Sequence, residues 1–193
     1  MQMVNATPVK FKGMPSPKRV LWVVGVVVLF LNGTHAQPPT AGEYQVKAAF
    51  LFNFAKFVEW PSSSFANASA PLRICVFGHD PFGDELHNIT KDKTVNGRRL
   101  EVDQGIDLQV ARTCQILFIA ASETARLKQI FESLRGADAL TVGDTKSFVE
   151  QGGMINFVLE NSRVQFEVNR KAAEEGGLKI SSKLLAVAKL VVG

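Results

Sequence analysis

The sequence predicts an α/β fold: a three-layer sandwich with a mostly parallel sheet flanked by helices, flavodoxin- or Rossmann-like, and an antiparallel edge hairpin. Three observations carry this expectation. Between residues 72 and 159, short apolar runs rich in β-branched residues alternate with helical stretches. That alternation is the pattern of parallel strands joined by crossover helices and covered on both faces. The connection Leu159-Glu-Asn-Ser162 between the last two strand runs is too tight for a crossover, so those strands must pair antiparallel. A helix rich in phenylalanine precedes the first strand run and supplies a covering layer.

The elements follow in order. The first helix is expected over Tyr44–Val58 and stops at Trp60-Pro61, because the residue before a proline avoids the helical region. At helical spacing Val46, Phe50, Leu51, Phe54, Phe57 and Val58 share one broad face, read as core. Phe52 points the other way, among Gln45, Lys56 and Glu59. An aromatic there is either covered by the 61–71 loop or kept for a partner. Strands are predicted at Leu72–Gly78, Arg98–Gln104, Gln115–Ala120, Ala139–Val142, Met154–Leu159 and Arg163–Val168, the last forming the edge of the hairpin. Helices are predicted at Pro81–Ile89, Asp107–Ala111, Glu123–Leu134 behind Ser122 as N-cap, Lys146–Gln151 and Ser181–Val191.

Ahead of this domain stands an export signal. Lys18-Arg19 precede the apolar run Val20–Leu31, which is too short for a bilayer core that needs about twenty residues. It fits the roughly 7–15-residue apolar region of a secretory signal peptide. Thr34 and Ala36 are the small residues a signal peptidase requires, so residues 1–36 read as the signal, with cleavage after Ala36 and residues 37–193 as a single mature domain. An uncleaved anchor is the alternative. The long charged lead is explained if translation starts at Met14.

Export changes the charge argument. The chain carries a formal +4, and Lys10, Lys12, Lys18 and Arg19 all lie in the signal, where no acid does. The remainder is electrically balanced, which removes the main support for a nucleic-acid partner.

In an open parallel sheet, ligands sit beyond the carboxyl ends of the strands. Those ends are Gly78-His79-Asp80-Pro81-Phe82-Gly83, Ala121-Ser122-Glu123 and Gly143-Asp144-Thr145. A crevice around Gly78, His79, Ser122 and Asp144 is therefore the candidate ligand site, with glycine and proline simply shaping the turn as the alternative. The first turn lacks the Gly-x-Gly-x-x-Gly spacing, and no Gly-Lys-Ser/Thr follows it, so neither a dinucleotide nor a P-loop site is expected. His79 and His87 lack the companions of a metal signature, and Asp80, Asp84 and Glu85 fit a solvated loop and an acidic helix start. No metal, no cofactor and no enzymatic activity are expected. Cys75 and Cys114 each fall at or just inside a predicted strand. In an oxidising compartment they either form a disulfide or remain as two buried thiols.

Five segments, in order, resemble the YfiR family: Tyr44–Pro61, Ile74–Leu86, Gln115–Ala121, Gly152–Asn169 and Leu178–Val191. The resemblance spans nearly all of the chain after the signal. It implies a periplasmic α/β protein, often a homodimer, without catalytic activity. It further implies a repressor that holds the periplasmic sensing domain of an inner-membrane diguanylate cyclase inactive until a peptidoglycan-associated outer-membrane lipoprotein sequesters it. Cys75 and Cys114 match a family disulfide pair, and with no further cysteine a second bridge found in some relatives is absent. The expected function is a periplasmic regulator of cyclic-di-GMP and biofilm, with Phe52, Lys56, Gly78, His79 and Asp80 as contact candidates. The alternative is a small-ligand-binding module, feeding a sensor kinase or receptor, with Ser122 and Asp144 lining its crevice.

Overall fold

The computed structural model describes residues 41–193; the predicted signal and its cleavage site lie outside them. The chain opens with α1 (Ala41–Phe57), which runs into the two-residue strand β1 (Val58–Glu59). There follow β2 (Leu72–Phe77), α2 (Glu85–Thr90), β3 (Thr94–Val95), β4 (Arg98–Gln104), α3 (Leu108–Ala111) and β5 (Ile116–Ile119). Next come α4 (Leu127–Ser133), β6 (Leu140–Gly143), β7 (Ile155–Glu160) and β8 (Arg163–Asn169). The last elements are α5 (Arg170–Glu175), β9 (Lys179–Ile180), α6 (Ser182–Leu185) and β10 (Leu190–Val192).

Eight strands form the main sheet in the order β10-β8-β7-β6-β5-β2-β4-β3, and β1 pairs with β9 in a separate two-stranded ribbon. The run β4, β2, β5, β6, β7 is parallel throughout, while β3–β4 and β7–β8 are antiparallel. The sheet is thus mixed and mostly parallel, an α/β sandwich as the alternation of runs predicts.

The side-chain period of two divides the core into two layers. Leu72, Ile74, Val76, Ile116, Phe118, Leu140 and Val142 face one side, where Leu51, Phe54 and Ala55 of α1 cover them. Cys75, Phe77, Leu117 and Ile119 face the other, beneath Ala111, Leu127, Ile130 and Phe148. Phe54 stacks on Phe157 at 5.7 Å and meets Phe166 edge-on at 5.2 Å, which seats α1 over β7 and β8. Burying one such side chain stabilises by about 1.5–3 kcal/mol.

Several sequence expectations need correction. The predicted helix Ser181–Val191 is one helical turn, α6, followed by β10, which pairs parallel with β8. Val191-Val192 is β-branched and favours the pleated surface. Arg163–Val168 is for that reason not the sheet edge, because β10 lies outside it. Lys146–Gln151 is a series of turns, with Ser147 in the left-handed region at φ 61°. The turn is dictated by Phe148, whose ring lies where a Cβ on Gly143 or Gly153 would have to sit. Ser122 does not cap a helix: the segment starts as a 3₁₀ stretch, Ala121–Arg126, whose N-cap is Ala120. The face of α1 is also rotated. Val46 is 44% exposed, whereas Lys47 and Ala48 are buried. The helix α5 and the β1–β9 ribbon were not predicted from the sequence.

Candidate functional site

The carboxyl ends of β2, β5 and β6 carry the residues singled out in the sequence, which fall into two groups. Gly78 takes φ +97°, and a Cβ there would lie 2.6 Å from Ser122 Oγ, so the turn requires glycine. Ser122 Oγ accepts a hydrogen bond from the His79 amide at 2.9 Å, which is why this serine is unavailable as a helix cap. Asp80 folds back on its own turn, accepting from the amides of Phe82 (2.9 Å) and Gly83 (3.0 Å) and from Gln104 Nε2 (2.9 Å). Gly78, His79 and Ser122 therefore meet in one place, with Asp80 used to hold the turn.

Asp144 belongs to a different constellation, built by the first turns of α1. Lys47 Nζ lies 2.7 Å from Asp144 Oδ2 and 2.6 Å from Glu43 Oε1. The Tyr44 hydroxyl donates to the same Asp144 oxygen at 2.8 Å. The Tyr44 ring packs edge-on against Phe82, 5.3 Å between centroids, so this one side chain reaches from the Gly78–Gly83 turn to the end of β6. At Asp144 the strand end is occupied by Tyr44 and Lys47 of α1. The Lys47, Asp144 and Glu43 side chains are 5%, 6% and 11% exposed. Asp144 Oδ1 is buried and has no hydrogen-bond partner among the described residues. The Tyr44 phenol is pushed up from its ordinary value near 10, first by burial, then by the Asp144 carboxylate and the hydrogen bond to it, and lastly by Glu43.

Sequence reasoning missed Glu43, Tyr44 and Lys47. The signal was present: a glutamate four residues before a lysine, with that lysine directly beside Ala48 on the stripe that continues through Leu51 and Ala55.

On the outer side of α1 the alternatives for Phe52 resolve into partial cover. Phe52 is half-buried at the rim of the core, and Lys56 Nζ sits 3.9 Å over its ring. Lys56, Gln45 and Val46 are exposed on the same helix.

Cys75 and Cys114 are joined in a disulfide, Cα atoms 6.0 Å apart, because β2 and β5 are neighbours. Two cavities lie at the opposite, amino edge of the sheet. One of about 450 Å³ opens beside Arg73, Cys114 and Asp138. The other, about 630 Å³, lies between α4 and α5, against Phe131, Met154 and Ala172. Among the described residues no group of three His, Cys, Asp or Glu side chains could hold a metal ion, and no helix is long and apolar enough to cross a membrane.

The chain belongs to the YfiR/HmsC-like family, whose model matches residues 44–189. That family is one of regulators rather than catalysts and works with membrane signalling proteins. Among solved structures, the chain is similar to a conserved domain protein from Vibrio cholerae O1 biovar eltor. Identity is 13% and the TM-score 0.51, over 77% of this chain and 60% of that one. The present chain thus spans less than two thirds of that protein's length, and the likeness is one of fold. A second similar structure is the ABC domain in complex with L-Trp from Streptococcus pneumonia, at 11% identity and TM-score 0.45, over 63% of this chain and 55% of that one.

Proposed function

We propose that this protein is a periplasmic, non-catalytic regulator that binds the sensing domain of an inner-membrane diguanylate cyclase and represses cyclic-di-GMP output. Family membership supplies the class of activity. The observation that carries the contact assignment is the outer face of α1, where half-buried Phe52 and exposed Lys56 form an aromatic and cationic pair. Such a pair suits an interface, since an aromatic anchor loses little entropy on docking and the charge selects the partner. The Gly78–Gly83 turn, held rigid by Asp80 and Ser122, is the second contact candidate. Export by a signal cleaved after Ala36, a homodimeric state and release by an outer-membrane lipoprotein complete the reading.

The mechanism is stoichiometric. The regulator binds one conformation of the cyclase better than the other, and its removal returns the population. Deleting the gene is expected to raise cyclic-di-GMP and biofilm; an unaltered nucleotide level in the deletion strain would contradict repression.

A small-ligand module is favoured by one observation, the cavity of about 630 Å³ between α4 and α5, whose size lies within the range of ligand pockets. A thermal-shift screen against amino acids and nucleotides tests it. A bound ligand raises the melting temperature by mass action, and Ala172→Trp must abolish that rise.

A further inference from the structure

We infer that Lys47 and Asp144 condense into an intramolecular amide, a covalent cross-link between the first turns of α1 and the end of β6. The inference rests on the geometry of this cluster and not on the proposed regulatory function. Four side chains take the four roles such a condensation needs. Lys47 Nζ is the nucleophile, 2.7 Å from Asp144 Oδ2, which brings it close to the carboxyl carbon. Glu43 Oε1, 2.6 Å from the same nitrogen, is the base. The Tyr44 hydroxyl donates to Asp144 Oδ2 at 2.8 Å and polarises the carboxyl group, the electrophile.

The site excludes water: the Lys47 and Asp144 side chains are 5% and 6% exposed, and the Tyr44 ring lies 4.3 Å from Nζ. The condensation starts when one ammonium proton passes to the adjacent Asp144 carboxylate, giving amine and carboxylic acid without separating charge. The amine then attacks the carboxyl carbon, forming the C–N bond. Glu43 takes the proton from nitrogen and returns it to the departing hydroxyl, and the C–O bond breaks. One amine and one acid become one amide and one water. No oxidant, reductant or activated donor is required, and exclusion of solvent keeps the reverse hydrolysis slow. Asp144 Oδ1, which has no hydrogen-bond partner among the described residues, becomes the amide carbonyl oxygen.

The test is mass spectrometry of the mature protein purified from the periplasm without reductant. The expected intact mass is one water below that of the disulfide-bonded chain, and proteolysis releases a branched peptide containing both Lys47 and Asp144. Cyclisation of an N-terminal glutamine loses ammonia rather than water and is read separately in the peptide map. Glu43→Gln and Lys47→Arg, shown to be folded by circular dichroism, are expected to keep the full mass. An unreacted wild-type mass with Lys47 and Asp144 on separate peptides overturns the inference. So does a Glu43→Gln protein that loses water at the wild-type rate. Should the variants fail to fold, the wild-type peptide map alone decides.

Discussion

Tyr44 is the residue that reports most directly on how α1 is held. Its ring touches Phe82 and its hydroxyl reaches Asp144, so it is buried in part and beside an anion. Both effects favour the protonated phenol, and its titration point is raised above the usual value near 10. The unfolded chain, with an ordinary phenol, loses its proton first as the pH rises. The stabilising contribution is accordingly complete below pH ~10 and declines above it. Because the chain contains a single tyrosine, the ultraviolet tyrosinate signal reads this residue alone. We expect no tyrosinate in the folded Lys47→Arg protein, in which Asp144 cannot be consumed by the cross-link, at the pH where free tyrosine is half-ionised, and a signal that appears together with alkaline unfolding. A normal titration curve on the folded protein would show that the Tyr44–Asp144 contact does not form. The residues of this cluster illustrate what the sequence leaves unread. Asp144 is visible as a strand-end residue, but its partners are not, since the apolar spacing runs the α1 stripe through Val46 rather than Lys47. A lysine next to an apolar stripe reads as solvated unless a carboxylate far away in sequence waits for it.

At the scale of elements, two features hold the inner strands. The Cys75–Cys114 bridge closes a loop of sequence separation 39 between β2 and the segment entering β5. In the chain-entropy model this is worth about 4 kcal/mol. The double variant Cys75→Ala/Cys114→Ala is expected to lower the urea midpoint accordingly, with a near-native circular dichroism spectrum. An unchanged midpoint would show that the bridge constrains nothing. The 144–153 turns depend on Phe148, fully buried between Gly143 and Gly153 and edge-on to Phe131 at 5.3 Å. Phe148→Ala is expected to cost about 3–5 kcal/mol through the cavity it leaves, again measured by urea unfolding. Strands β2, β5 and β6 were legible because each is largely apolar and buried on both faces, and β4 because Leu100 and Val102 alternate with charged residues. The carboxyl-terminal elements were not. Leu184, Leu185, Val187, Leu190 and Val191 fit a helical stripe as well as a turn and a strand, and only the open side of β8 decides for the strand. Phe148 overrode the helical reading of its segment in the same way, through packing that local propensity does not encode.

For the whole molecule, the family match over residues 44–189 and the α/β class were both readable in the sequence, from segments spread along the chain. The proposed docking surface was readable only as a pair of alternatives for Phe52, because cover by the rest of the chain is a tertiary property. The structure leaves Phe52 half-exposed beneath Lys56 on the outer side of α1, away from the Tyr44–Lys47–Asp144 cluster that anchors the same helix. One helix thereby carries an anchored first end and, on its outer side, the proposed contact face. The regulatory reading depends on that outer face. The decisive measurement is cellular cyclic-di-GMP in a deletion strain complemented with wild-type protein or with Phe52→Glu of wild-type melting temperature and abundance. The account predicts that the wild type lowers the nucleotide and Phe52→Glu leaves it at the deletion level; full repression by Phe52→Glu would contradict it.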